Sequence, residues 1–218
     1  MSNAKLSMFD AIVLILGFEP GPLIRAVASH NLNPGARIIV LTPSFKDERS
    51  DRAFDDFKRI CSMMFEKVNI KIERVIINLK PLSKAVSSIR KIFSEISDMH
   101  VAICISGGMR ALCIATFIAY LLTKWKYSPH IEVSLEGRVE TIIIPNINKI
   151  LELNITGEKL EILKTLSEYG SLTVASIAAL LNKDRSTIHR HLNWLEEYGL
   201  VKRVGRNIEL TELGMVLA

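Results

Sequence analysis

One segment of the chain joins an apolar run, a pair of glycines and the start of a second apolar stretch: His100-Val101-Ala102-Ile103-Cys104-Ile105-Ser106-Gly107-Gly108-Met109-Arg110. The run at 101–105 does not alternate with polar residues, which is typical of a strand buried on both faces of a parallel sheet. Glycines then allow a sharp turn because they carry no Cβ. Residues 109–122 are almost all apolar and predict a largely buried helix. The segment therefore predicts a strand, a tight turn and a helix.

This arrangement of strand, turn and helix is suited to hold an anion. The free N–H groups of the first helical turn and the positive end of the helix dipole point at the same place. Arg110 adds a planar guanidinium that can pair with a phosphate. The residues leave an alternative open, in which the glycines only allow the helix to pack tightly on the strand and Arg110 caps a surface.

Strand and helix patterns alternate over the first two thirds of the chain. Apolar runs predict strands at 11–16, 37–41, 70–77 and 101–105, and the segments between and after them predict helices at 22–30, 46–65, 81–96 and 109–122. Asn33-Pro34-Gly35 predicts a turn before the second strand. Two further runs at 131–135 and 139–144, on either side of Glu136-Gly137-Arg138, predict a β-hairpin. This order predicts an α/β fold with a mostly parallel, doubly wound sheet and an antiparallel edge.

The carboxyl ends of the predicted strands mark the expected ligand site. Ligands bind doubly wound sheets in the crevice beyond these ends. In this chain the ends fall at Gly17-Phe18, Thr42-Pro43, Asn78 and Ser106-Gly107-Gly108.

The charge of the chain is unevenly distributed. Its 218 residues are enough for one or two domains, and an apolar fraction of 49% argues against a disordered chain. The net charge of +5 lies in residues 1–156, which hold 20 basic against 15 acidic residues, whereas residues 157–218 hold eight of each. This distribution favours an anionic ligand or partner for the first part of the chain, although a solvated basic surface would look the same.

The cysteines and histidines give no sign of a metal site in the sequence. Cys61, Cys104 and Cys113 form no CxxC pair, and we expect buried free thiols in a reducing cytoplasm. His189 and His191 lack companions at ligand spacing, so no metal site is predicted, and no catalytic residue is assigned. No signal peptide is apparent, and the apolar segment 111–123 is shorter than the roughly 20 residues that a bilayer-spanning helix needs. We expect a soluble cytoplasmic protein with no membrane partner.

The end of the chain predicts a second, small α+β domain. Pro145 ends the hairpin, so we predict a first domain over 1–145, a linker over 146–156 and a second domain over 157–218. Helices are predicted over 157–169, 174–181 and 185–198, with Thr156, Thr173 and Asp184 as their N-caps. Two short apolar runs around Gly205-Arg206-Asn207 predict a basic hairpin. Three helices followed by such a wing describe a winged helix-turn-helix.

The third of these helices has the two faces expected of a helix that reads DNA. Ile188, Leu192 and Leu195 fall on one face and are expected to pack inward. The opposite face and its flanks are polar and rich in donors, as base edges in the major groove require, and the wing cations suit phosphates or the minor groove. The predicted DNA-binding residues are Arg185, Ser186, Thr187, His189, Arg190 and Asn193 on the helix and Lys202, Arg203 and Arg206 on the wing. A helical protein-interaction module with an incidental polar face is the alternative.

These residues carry a resemblance to a known family. The run Asp184-Arg185-Ser186-Thr187-Ile188-His189-Arg190-His191-Leu192, within 171–207, resembles the MarR/ArsR-type winged helices of archaeal regulators. The turn Ile105-Ser106-Gly107-Gly108-Met109-Arg110 resembles that of the CARF domain, the CRISPR-associated Rossmann fold. A Rossmann-like CARF domain followed by a winged helix-turn-helix is the layout of the CRISPR-associated transcriptional regulators of archaea. The resemblance spans nearly the whole chain.

The resemblance implies a ligand and two macromolecular partners. It implies a homodimer formed through the CARF domains, with a cyclic oligoadenylate, and in particular the two-fold-symmetric cyclic tetra-adenylate, bound across the dimer axis. The paired winged helices would bind double-stranded DNA at promoters of CRISPR adaptation genes or at the repeat arrays. No cofactor is implied. The residues that would line the ligand are Gly17, Phe18, Ser106, Gly107, Gly108, Met109 and Arg110.

Two other functions stay open besides a ligand-modulated regulator that is not an enzyme. One is a ring nuclease that cleaves its own cyclic ligand, with Ser106, Arg110 and the hydroxyl of Thr42 as participants, although no residue is marked as a general base. The other is a Rossmann-type sensor of a metabolite or mononucleotide unrelated to CRISPR. The operator and the sign of regulation are not encoded in any pattern of the sequence.

Two further expectations concern the apolar helix and the turn before it. Residues 111–122 are more apolar than a surface helix requires, so we expect them to contribute to a two-fold interface unless they are buried inside one domain. Replacing Arg110 with alanine, or Gly108 with a bulky residue, is expected to abolish oligoadenylate binding and leave the fold nearly intact.

Overall fold

The first of two units is an α/β domain. The computed structural model describes residues 8–45, 47–66, 68–105, 107–135, 140–151 and 153–218, and the chain divides into units Met1–Ile144 and Pro145–Ala218. The elements of the first unit, in chain order, are β1 (Met8–Ile15), α1 (Gly21–Ser29), β2 (Asn31–Pro43), α2 (Glu48–Met64), β3 (Lys71–Ile77), α3 (Leu82–Glu95), β4 (Val101–Ile105), α4 (Arg110–Leu121), β5 (His130–Ser134) and β6 (Thr141–Ile144). Ser106, the predicted hairpin turn at 136–138 and the first residue of the predicted run 139–144 lie outside the described residues.

Six strands form one sheet in the order β3-β2-β1-β4-β5-β6. The strands from β3 to β5 are parallel to one another, and β6 pairs antiparallel with β5. The prediction of a mostly parallel, Rossmann-like sheet with an antiparallel edge is therefore confirmed. Helices cover both faces: α1 and α2 pack against Ile12 and Leu14 of β1, and α3 and α4 pack against Val13 and Ile15. This double cover explains why β1 and β4 are apolar without alternation.

The second strand differs from its prediction. Met8 and Phe9 of β1 already pair with the first two residues of β2, and regular pairing resumes only at Ala11 and Arg37. The predicted turn at Asn33-Pro34-Gly35 is therefore wrong, because these residues form an irregularity inside β2 instead. Proline cannot donate to the ladder, and Gly35 takes a positive φ of 85° while its N–H binds the carbonyl of Asn69.

A bidentate ion pair links β2 to β3. Arg37 Nε and Nη2 donate to the two carboxylate oxygens of Glu73, at 2.9 and 3.1 Å. The hydrogen bond from Arg37 lowers the pKa of Glu73, because it outweighs the opposing effect of desolvation. The charged pair is therefore retained at neutral pH and contributes to the register of this sheet edge.

The second unit is a winged helix-turn-helix. Ile162, Leu166, Ile177 and Leu192 are among the side chains of its apolar core. The strands form a small sheet in the order β7-β9-β8. The elements are α5 (Asn148–Leu151), α6 (Gly157–Tyr169), β7 (Leu172–Thr173), α7 (Val174–Leu180), α8 (Arg185–Glu197), β8 (Val201–Val204), β9 (Asn207–Leu210) and α9 (Glu212–Met215). The three main helices and the wing are confirmed, and α5 lies within the predicted linker.

All three predicted N-cap residues stand at the N-cap positions of their helices. The Thr173 hydroxyl accepts a hydrogen bond from the N–H of Ser176, as an N-cap should. The side chains of Thr156 and Asp184 occupy the cap position but make no cap hydrogen bond. The turn before Asp184 is held by a backbone contact instead, because the N–H of Lys183 binds the carbonyl of Ala178.

Two of the three cysteines are buried as expected, whereas Cys113 is half-buried. Cys61 and Cys104 are buried free thiols, and burial raises the pKa of Cys61 to about 12, so this thiol stays protonated. Among the described residues, no helix has both the length and the apolar character needed to cross a membrane.

Candidate functional site

The carboxyl ends of β1 and β4 meet at the centre of the sheet. The two strands pair in parallel, with Leu14 opposite Cys104, and the strand order reverses between them. A reversal of this kind opens a crevice beyond the strand ends, because the following segments leave in opposite directions. The loop after β1 and the turn before α4 therefore lie side by side, as predicted for Gly17 and Gly108.

Two glycines bring these segments into backbone contact. A Cβ on Gly17 would lie 3.0 Å from the amide nitrogen of Gly108. Gly108 has a φ of +90°, and a Cβ there would lie 2.8 Å from the carbonyl oxygen of Leu16 and 2.9 Å from Cγ2 of Ile15. The expectation that a bulky residue at Gly108 would leave the fold nearly intact is therefore wrong, since the neighbouring atoms are backbone and core.

The start of α4 faces this edge. Met109 is its N-cap residue and provides no side-chain hydrogen bond to the helix. The N–H groups of Leu112 and Cys113 bind the carbonyl of Met109, whereas those of Arg110 and Ala111 have no partner among the described residues and can bind an anion. Arg110 begins the helix and is exposed. In the turn before it, the carbonyl of Gly107 accepts a hydrogen bond from the Cys113 thiol at 3.4 Å. The turn thus offers both amide donors and a cation.

Phe18 adds an aromatic surface to the edge. Its side chain is 53% exposed, and the guanidinium of Arg49 lies 4.7 Å from the ring centroid. Arg49 lies in the first turn of α2, and α2 begins shortly after the carboxyl end of β2. An exposed aromatic ring beside arginine can stack on a nucleobase, and the cation can meet a phosphate. Sequence reasoning missed Arg49, although its place after a strand end was a usable signal.

Thr42 lies below the surface of this edge. It is fully buried, and its hydroxyl donates to the carbonyl of Val75 at 3.4 Å and accepts from Nε of Arg74 at 3.3 Å. Arg74 also binds Asp51 at 2.7 Å. The Thr42 hydroxyl is therefore committed to packing β2 against β3, and the structure does not bring it to the open edge with Arg110.

The faces of α8 match the prediction for a recognition helix. Ile188, Leu192 and Leu195 are buried in the core of the second unit. The opposite surface is polar: Arg185, Ser186, His189, Arg190 and Asn193 are exposed, and Thr187 is half-buried. Asn182, in the turn between α7 and α8, has a positive φ of 49°. The helix therefore presents donors and cations outward from a fixed apolar base.

The cations of the wing and of α8 divide into paired and unpaired side chains. Arg203 donates to Glu196 at 2.7 Å and to the Asn193 side chain at 2.9 Å, so these contacts fasten the wing to α8. Lys202 lies 3.5 Å from Glu209 on the neighbouring strand. Within the part of the chain that the structure describes, Arg190 and Arg206 have no ion-pair partner. Both are exposed and are free to meet a polyanion.

Three solved structures resemble parts of the fold at low identity. MarR from E. coli in its reduced form is 24% identical, with a TM-score of 0.30, over 32% of this chain and 52% of that chain. A MarR family protein from Bacillus stearothermophilus is 27% identical, with a TM-score of 0.29, over 32% and 53%. Can2 from Sulfobacillus thermosulfidooxidans, in complex with cyclic tetra-adenylate, is 12% identical, with a TM-score of 0.42, over 94% and 61%. The alignments thus span between about half and three fifths of those proteins' lengths.

Family models give a more specific result. The model for bacterial regulatory proteins of the arsR family matches residues 156–203, which include the helix-turn-helix. The model for the Csa3 CRISPR-associated Rossmann-like domain matches residues 10–145, more than half of the chain. A comparison with curated proteins found no match. The chain, with its mostly parallel sheet followed by a winged helix-turn-helix, belongs to the family of the Csa3 CRISPR-associated Rossmann-like domain.

Proposed function

We propose that this protein is a CRISPR-associated transcription regulator whose DNA binding is controlled by a cyclic oligoadenylate. A homodimer would bind cyclic tetra-adenylate through its Rossmann-like domains and double-stranded DNA through its winged helices. The observation that carries the proposal is the edge at Gly17 and Gly108, where an exposed aromatic ring, two arginines and a helix start converge. The same chain carries a polar recognition helix.

The chemistry of the edge suits an adenylate repeat. Each unit of such a ligand has a flat base and a phosphate, and Phe18 offers a ring for the base. Arg110 and the first amides of α4 offer charge-assisted hydrogen bonds to the phosphate. Two protomers around one axis would present this set twice, which matches a ligand with two-fold symmetry.

The surface of α4 supports the proposed dimer. Leu112, Ala115 and Tyr120 face the core, but Ile114 is 54% exposed and Leu122, just past the helix end, is 51% exposed. The helix therefore has an apolar outer face as well as an apolar inner one. Burying such a face against a second copy would remove apolar area from water at about 25 cal/mol per Å².

The central experiment is calorimetry of the full chain with cyclic tetra-adenylate, cyclic hexa-adenylate, linear tetra-adenylate and AMP. We expect cyclic tetra-adenylate to bind most tightly, with one ligand for two chains, and to be recovered intact afterwards. Tight binding of AMP alone would favour a metabolite sensor, and recovery of linear products would favour a ring nuclease.

The DNA half of the proposal has its own test. Fluorescence anisotropy with promoter duplexes from the protein's own CRISPR locus, with and without the ligand, should show specific binding that falls steeply with salt. Equal affinity for these duplexes and for unrelated DNA of the same length would contradict the role as a regulator. A change in affinity on ligand addition would measure the coupling.

A further inference from the structure

Two histidines and a glutamate meet in the first unit, and one of the histidines comes from a distant part of the sequence. His30 follows α1, His130 begins β5 and Glu132 lies two residues further along that strand. Nε2 of each histidine lies 3.7 Å from the same carboxylate oxygen of Glu132, and the two ring centroids are 5.6 Å apart. Sequence reasoning assigned no metal ligands here because no short spacing joins His30 to the other two residues.

The carboxylate at the centre of this cluster is buried and incompletely satisfied. Glu132 is only 5% exposed, and its Oε1 atom has no hydrogen-bond partner among the described residues. A buried anion of this kind needs a cationic partner.

The orientation of His30 favours a metal over a hydrogen bond. Its Nδ1 atom lies 2.6 Å from the carbonyl oxygen of Ala26, which can only accept, so Nδ1 carries the proton of the neutral ring. In the neutral ring the lone pair on Nε2 then points at the Glu132 carboxylate, a contact that becomes attractive when a metal ion or a proton lies between the two atoms. A backbone carbonyl that holds the far ring nitrogen is also the usual support for a metal-bound histidine.

The distances fit a tetrahedral ion. Zinc bonds to imidazole nitrogen and carboxylate oxygen are about 2.0–2.2 Å, which places two ligand atoms of a tetrahedron roughly 3.4 Å apart. The observed 3.7 Å between Nε2 and the carboxylate is close to this, and all three ligand atoms lie within 4.8 Å of one another.

The surroundings allow a metal to enter and then shelter it. The side chains of His30 and Glu132 are almost fully covered, whereas that of His130 is 31% exposed and opens a route from solvent. The ring of Phe9 packs against both histidines, with centroid distances of 5.2 and 5.9 Å. His30 precedes β2 and His130 begins β5, so the cluster lies toward the amino ends of the strands, away from the glycine edge.

We propose that His30, His130 and Glu132 form a zinc site with its fourth position open to water. A bound ion would neutralise the buried carboxylate and tie the end of α1 to β5. Its role is therefore to stabilise the Rossmann-like domain rather than to contact the proposed nucleotide ligand.

The test uses the full chain without a polyhistidine tag, after removal of metal by a chelator. Zinc titrated against a competing indicator should bind with one tight equivalent per chain. His130→Ala and Glu132→Gln should each weaken zinc binding by more than the roughly 10–100-fold that loss of an outer support costs. His100→Ala is the matched control, because this exposed histidine of the same domain stacks on Tyr127 outside the cluster. It should bind zinc like the wild type.

Two further measurements guard against misfolded variants. Zinc should raise the Tm of the wild type and of His100→Ala but not that of His130→Ala. Cobalt added to the metal-free wild type should give the strong visible absorption of a four-coordinate site. The proposal is overturned if the wild type binds no zinc at neutral pH, or if His130→Ala and Glu132→Gln bind it as tightly as the wild type.

Discussion

At the scale of single residues, Gly108 is a position in the glycine edge where the structure leaves no room for a Cβ atom. Gly108 and Gly35 have similar φ values, +90° and +85°, but a Cβ on Gly108 meets the Leu16 carbonyl whereas a Cβ on Gly35 meets nothing. Alanine pays the same backbone strain at both sites, about 1–2 kcal/mol. We expect Gly108→Ala to lower the free energy of unfolding by about 1–3 kcal/mol more than Gly35→Ala, measured by urea titration. Equal losses of unfolding free energy in the two variants would mean that the backbone shifts away from the new Cβ at Gly108 without cost.

Arg110 is the residue at which ligand affinity and folding can be separated. It is exposed, and no ion pair ties it to the described residues, so its removal should not change the Tm. Loss of a charge-assisted hydrogen bond costs about 1.5–3 kcal/mol, so Arg110→Ala should weaken cyclic tetra-adenylate binding about 10- to 150-fold in calorimetry. Arg59→Ala, on an exposed part of α2, is the control and should bind normally. Wild-type affinity in Arg110→Ala would place the ligand elsewhere.

At the scale of elements, α8 and the wing are expected to contribute differently to DNA binding. Arg190 projects from the outer face of α8, so Arg190→Ala should cost about 1–3 kcal/mol on specific DNA and relax discrimination. Arg206 is unpaired at the tip of the wing, so Arg206→Ala should weaken binding to all sequences and reduce the salt slope by about one. Lys202→Ala should have a smaller effect, because Lys202 already faces Glu209.

The control for these variants is Lys164→Ala, which removes an exposed cation from α6. Anisotropy titrations at several salt concentrations would compare all four proteins on operator and unrelated duplexes. If Arg190→Ala and Arg206→Ala both behave like Lys164→Ala, the polar face of α8 serves another partner.

The elements that the sequence predicted well are those whose signal is local. Apolar runs predict β1 and β4, and helical periodicity predicts α8, to within a few residues of their observed bounds. These patterns are local because each strand is buried on both faces and the helix is buried on one. The irregular start of β2 depends on Asn31 pairing with Met8, and no local pattern reports such a contact. The short elements α5, β7 and α9 carry too few residues to show a period.

The candidate sites follow the same physical rule. The closeness of Gly17 and Gly108 was predictable because the carboxyl ends of parallel strands lie at the same edge of the sheet. Arg49 and the cluster around Glu132 were not, since tertiary packing alone brings them to their neighbours. Arg203 shows the converse: its sequence position in a basic wing suggested a phosphate contact, but the structure commits it to Glu196.

At the scale of the whole molecule, the proposed regulation would depend on how two chains associate. A ligand can change DNA affinity only to the extent that it binds one arrangement of the protomers better than another. A two-fold ligand that touches both chains meets this condition, and a ligand enclosed within one chain has no direct means of doing so. In the proposed dimer the outer face of α4 would be central to control, because it offers an apolar surface for such an association.

Placing a charge on that face should separate the chains. Ile114→Glu would bury a carboxylate in the proposed interface, and we expect this variant to be a monomer and the wild type a dimer in light scattering at micromolar concentration. Met63→Glu is the control, because Met63 is 74% exposed on α2 and should not affect association. The Ile114→Glu monomer should occupy single half-sites, bind palindromic operators more weakly and lose the change in DNA affinity caused by cyclic tetra-adenylate. A dimeric Ile114→Glu that still responds to ligand would place the interface on another surface, and a monomeric wild type would remove the two-fold model.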